Sequence, residues 1–134
     1  MAKYPKSVRV VVKQFPLGFH KNAQKAAEAA LSAHAQGRFW DMNDIMFENM
    51  KALEVDKLEK YAEQIGLDLA KFKADLSSSK YAAQVKAEAA EGQSAGVRGT
   101  PSVFINGRRY QPSGGYTVEG IEKVLAQEFG LKLK

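Results

Sequence analysis

Not one of the 134 residues is a cysteine. No disulfide, zinc–thiolate site or iron–sulfur cluster can therefore hold the fold together. Whatever forms must rest on apolar packing and backbone hydrogen bonds. The length suffices, since one core at this size buries about two thirds of the unfolded chain's surface. The apolar share of 45% and the charged share of 26% are those of an ordinary globular protein. They exclude wholesale disorder, collagen and coiled-coil arrays. No run approaches the roughly 18 apolar residues of a membrane span. The opening Met1-Ala2-Lys3-Tyr4-Pro5-Lys6 leads into too short and too charged a stretch for a secretory signal.

The same absence removes thiolate chemistry. His20 and His34 are too few for a three-histidine zinc site and share no ligand motif, so both read as structural or surface residues and no metal or cofactor is expected. The acidic residues lie scattered among lysines and read as solvated helix faces, not as an acid/base couple. No serine sits in a nucleophile elbow. Gly92 to Gly99 is glycine-spaced, but no Lys-Ser or Lys-Thr follows, and a helix precedes it where a phosphate loop needs a strand. The net charge of +5 permits an acidic partner. No cationic run exceeds Arg108-Arg109, however, so neither nucleic acid nor membrane is expected to bind.

The order of elements reads as strand, helical block, hairpin, helix. Ser7-Val8-Arg9-Val10-Val11-Val12-Lys13 is rich in β-branched residues and predicts a strand buried on both faces. Asn22 is a plausible cap for a helix that Gly37 closes. Phe39 to Leu53 predicts a second helix, with Phe39, Met42, Met46, Met50 and Leu53 on one stripe and Trp40 and Phe47 on its flank, all expected in the core. Asp56 and Glu59 have the spacing of a capping box, Asp68 can cap a further helix, and Ser79 the one after it. Asn106-Gly107 predicts a tight hairpin between Ser102–Ile105 and a return strand from Arg108. Thr117 caps a last amphipathic helix that ends at Gly130. Pro101 sits where proline is tolerated, at the start of a strand. Its local sequence alone gives a cis bond only the bare chance of about 5–6%.

Four stretches, taken in order, resemble the DsbA-like thioredoxin family. They are Val10–Leu17 followed by His20; Asn22–Ala30 with Gln36–Trp40; Tyr61–Asp68; and Gly96–Arg108. The last is the most specific, because it resembles the family's cis-proline loop and the hairpin after it. The resemblance implies an α/β, incomplete thioredoxin-like fold. One truncated domain over residues 1–134 would carry a helical insertion at about 22–96, between the first strand and the C-terminal hairpin and helix. It implies a cis Thr100–Pro101 bond, and substrate binding by the loop of Gly99, Thr100 and Pro101. The family exchanges thiols and disulfides, usually outside the cytoplasm; the chain itself discloses no compartment.

The departure lies at the reactive centre. The family's leading strand and Cys-x-x-Cys helix have no counterpart here, and exchange needs a thiolate attacking a disulfide sulfur. No catalytic residue is therefore assigned. The expectation is a non-catalytic binding or assembly module, or the C-terminal fragment of a longer oxidoreductase. The alternative is a thiol–disulfide oxidoreductase whose Cys-x-x-Cys comes from a segment absent here. The missing strand is central in the family's sheet. Leaving it vacant exposes inner strand edges and an apolar face around Val10, Val12 and Phe104, at about 1–3 kcal/mol for each buried unpaired backbone group. That predicts a homo-oligomer through the vacant position, by strand addition or exchange.

Overall fold

A computed structural model describes residues 3–134. The chain divides into two compact units. One comprises residues 13–96 and the other residues 3–12 with Val97–Lys134.

The first unit is built around α1 (Ala23–Ala35). Its alanines favour helix, and Ala27, Ala29, Ala30 and Ala33 are buried. Their small side chains let α2 (Phe39–Glu48), α3 (Val55–Gln64), α4 (Leu69–Ser77) and α5 (Ala82–Ser94) all pack against one helix. Met42, Leu58 and Phe72 are fully buried in the core this creates, with Tyr61, Leu67 and Leu76 around them. Burying a side chain such as Phe72 contributes about 1.5–3 kcal/mol.

Polar groups also cross this unit. Ser32 Oγ donates to Asp75 Oδ2 at 2.8 Å, and both residues are buried. Lys25 Nζ lies 3.2 Å from Glu28 Oε1 and donates to the Leu76 carbonyl at 2.7 Å and to Ser79 Oγ at 3.1 Å. The end of α4 is thereby fastened to α1 through satisfied buried groups.

Several local signals act as expected. Asp68 Oδ1 accepts from the Lys71 amide at 3.0 Å, and Gly37 turns left-handed at φ +75°. Three signals act differently. α2 stops at Glu48, not Leu53, because Asn49 back-bonds to the Ile45 carbonyl at 2.8 Å and the chain turns. The carbonyl of Glu54 receives the Lys57 and Leu58 amides, so α3 starts before Asp56, which lies in its first turn. Ser79 adopts φ +52° and ends α4, while Tyr81 precedes α5.

The second unit holds β1 (Val103–Ile105) and β2 (Arg108–Tyr110), antiparallel, with Phe104 opposite Arg109. Asn106 and Gly107 have φ +47° and +81°, the doubly left-handed turn that matches strand twist. In α6 (Val118–Phe129), Thr117 Oγ1 accepts from the Gly120 amide at 3.0 Å, and Gly130 ends the helix at φ +71°. A Cβ on Gly120 would lie 2.8 Å from the Tyr110 hydroxyl, so this glycine lets the hairpin approach α6. Lys3 Nζ meets Glu122 at 2.7 Å, and Tyr4, itself buried, accepts from the Lys134 amide at 3.2 Å.

The largest departure from expectation is the first strand. Val8–Lys13 forms none: the described residues contain one sheet, of two strands. A run of valines supplies strand propensity but not a neighbour to pair with. Val10, Val11 and Val12 are 46%, 61% and 42% exposed, where burial on both faces was expected.

Candidate functional site

The loop before β1 is built from Val97 onward. Val97 is buried and anchors it. Ser102 Oγ donates back to the Gly99 carbonyl at 2.7 Å and closes the loop on itself. Between them the Thr100–Pro101 peptide is cis, as the resemblance implied. The structure thus brings Gly99, Thr100 and Pro101 together at the mouth of β1. Thr100 and Pro101 are exposed, and Gly99 is half-buried.

Among the described residues, the strand that this loop enters pairs with β2 alone. A two-residue turn makes Ile105 and Arg108 a hydrogen-bonded pair, so Phe104 takes the alternate position. Its N–H and C=O point away from β2, and its ring is partly exposed. Backbone groups in this arrangement can receive a further strand.

The chain has no thiol. Among the described residues no group of three or more His, Asp or Glu could hold a metal ion. His20 stacks on Phe19 with ring centroids 4.4 Å apart, and His34 meets Phe39 edge-on at 6.2 Å. Among the described residues, Lys3 and Glu122 have displaced titrations. The hydrogen bond from Lys3 holds the Glu122 carboxyl below its ordinary range, and the same bond raises Lys3.

One surface was not anticipated. Trp40, Phe47 and Met50, expected in the core, are 42%, 65% and 67% exposed. Trp40, Asp44, Phe47 and Lys51 follow helical spacing, and this pattern was the available signal. The opposite face, through Met42, Ile45 and Met46, fills the core instead.

The family model described as thioredoxin matches residues 2–126. The chain is 36% identical over 124 residues to the Na(+)/H(+) antiporter NhaA 3 of Salinispora tropica, covering 92% of this chain and 19% of that protein. It is 35% identical over 130 residues to the Na(+)/H(+) antiporter NhaA 1 of Salinispora arenicola, covering 96% and 20%. A Na(+)/H(+) antiporter NhaA of Herminiimonas arsenicoxydans is 35% identical over 124 residues. The chain therefore spans about a fifth of the length of these relatives. No solved structure matches it significantly. With the family match running over nearly its whole length, the chain belongs to the thioredoxin family.

Proposed function

We propose that this domain binds polypeptide without redox chemistry of its own, as a DsbA-like member of its family whose sheet is completed by another chain. The Val8–Lys13 segment and the open edge of β1 would accept an extended strand, in the simplest case from a second copy. The observation that carries this reading is the exposed run Val10-Val11-Val12, a sequence suited to a buried strand that has no ladder among the described residues. Unpaired strand backbone is a template for strand addition, and alternate side chains then supply specificity. The exposed Thr100–Pro101 loop leads into the β1 edge, so its backbone would lie beside an added strand.

Exchange chemistry needs a thiolate, and the sequence contains none. Any such activity would need its Cys-x-x-Cys from elsewhere. The antiport in the relatives' names we assign to the parts of those longer proteins that the match does not cover. No helix among the described residues is long and apolar enough to cross a membrane.

Sedimentation velocity across the micromolar range tests the proposal. The expected result is a concentration-dependent dimer. Val11→Pro, which removes a ladder donor, should sediment as a monomer with unchanged far-UV circular dichroism. A folded monomer at every concentration would overturn the homo-oligomer. An insulin-reduction assay with dithiothreitol should show no acceleration; clear acceleration would restore the oxidoreductase alternative.

A further inference from the structure

Asn106 turns the hairpin, and it is also the one asparagine of this chain followed by glycine. Asparagine is a thermolabile residue, because its side-chain amide carbon lies within reach of the next residue's backbone nitrogen. Attack by that nitrogen closes a five-membered imide. Two things ordinarily hinder the attack. A side chain on the following residue crowds the nitrogen, or a hydrogen bond holds the nitrogen or the side chain elsewhere. Neither operates at Asn106-Gly107. A Cβ on Gly107 would meet nothing within 4 Å, so the approach is unobstructed. Both residues are exposed. Neither the Asn106 side chain nor the Gly107 N–H meets a partner among the described residues.

The other asparagines, Asn22, Asn43 and Asn49, are held. After Asn22, the Ala23 N–H donates to the His20 carbonyl at 3.1 Å. Asn43 lies inside α2, where the helical ladder fixes the backbone on both sides of it. Asn49 donates its side-chain amide to the Ile45 carbonyl at 2.8 Å. The turn at Asn106 must still rotate before nitrogen and carbon meet, and the hairpin permits that. Its strands have three residues each and form a sheet of two strands among the described residues. A two-stranded hairpin is marginal by itself, so opening it locally needs little free energy.

We propose that Asn106-Gly107 is a self-modification site, with water as its co-reactant, and that its conversion is a one-way switch on the β1–β2 hairpin. The Gly107 nitrogen bonds to Asn106 Cγ and gives up its proton. The bond from Cγ to Nδ2 breaks, and the side-chain nitrogen leaves with that proton as ammonia. Water then opens the imide at either carbonyl. One product is aspartate. The other is isoaspartate, whose main chain runs through the former side chain and is longer by one atom. Both products add a carboxylate and remove one unit from the net charge of +5. Isoaspartate does more, because loop length and turn type set a hairpin's register. The lengthened turn no longer fits the pairing of Ile105 with Arg108, and β1 parts from β2. This switch does not rest on the strand-addition reading, so each can fail without the other.

The full chain tests this without any substitution. It would be incubated, folded, in mildly alkaline buffer made with heavy-oxygen water, then digested with trypsin in ordinary water. Cleavage after Arg98 and Arg108 releases Gly99–Arg108, in which Asn106 is the one side-chain amide. The expected result is conversion of this peptide with time into two acidic products, each carrying one heavy oxygen in the new carboxyl group. The peptides holding Asn22, Asn43 and Asn49 should stay unchanged over the same period. Conversion should slow in mildly acidic buffer, where the Gly107 nitrogen keeps its proton. Cation exchange would then separate the aged chains, which have lost one unit of positive charge. Their isoaspartate fraction should show faster amide exchange at Ile105 and Arg108 than the fresh protein. The site is overturned if Gly99–Arg108 converts no faster than the other asparagine peptides, or if its products lack the heavy oxygen and so formed during digestion. The switch is overturned if the isoaspartate fraction exchanges as slowly as the fresh protein.

Discussion

Ser32 and Asp75 form a buried pair whose value lies in what its loss leaves behind. Ser32→Ala removes the hydroxyl that Asp75 Oδ2 uses at 2.8 Å. The second partner, Lys80, is 3.6 Å away at the other oxygen. A buried acceptor deprived of its donor costs about 1–3 kcal/mol, and chemical denaturation should read a loss of that size. If Ser32→Ala is neutral, the pair is not what fastens α4 to α1. The contact between Lys3 and Glu122 gives a pH signature instead. Because the Glu122 pKa is lowered on folding, its contribution is present above the ordinary carboxylate range and is lost as pH falls through the folded value. Lys3 is raised, so its share is lost only as pH climbs past the ordinary lysine range. The stability gap between the parent and Glu122→Gln should accordingly be open at neutral pH and close in acid. A gap independent of pH would contradict the coupling.

At the scale of elements, the β1–β2 hairpin depends on its turn. Gly107 at φ +81° tolerates a side chain poorly, and Gly107→Val should cost about 1–2 kcal/mol for a left-handed β-branched residue, measurable in the same denaturation experiment. An unchanged midpoint would mean that the hairpin adds little to stability. This element was legible because Asn106-Gly107 dictates its own geometry. The same holds for Asp68, Thr117, Gly37 and Gly130, each of which acts on backbone groups within one turn of itself. The extent of α2 was not legible, because Asn49 competes for the Ile45 carbonyl and cuts the helix short. Met50, placed on the buried stripe by a continuing helix, therefore turns outward. Trp40 and Phe47 were misplaced for another reason. Helical spacing shows which residues share a stripe but not which of two apolar stripes the neighbouring helices cover. The expected first strand at Val8–Lys13 failed for the most basic reason: a strand is a relation between two segments, and one segment's composition cannot supply the other.

For the whole molecule, the consequence is an uneven distribution of self-sufficiency. Residues 13–96 bury a continuous apolar core around α1. The other unit has a two-stranded sheet, an open β1 edge and exposed valines. The loop of Gly99, Thr100 and Pro101 could be located from its resemblance to the family. Amide hydrogen exchange at Arg9, Val10, Val11 and Val12, followed as the protein is concentrated, tests directly what joins the sheet. Exchange should be rapid in dilute solution and increasingly protected as a second strand pairs with this segment. Exchange that stays rapid at every concentration, with the protein folded throughout, would contradict it.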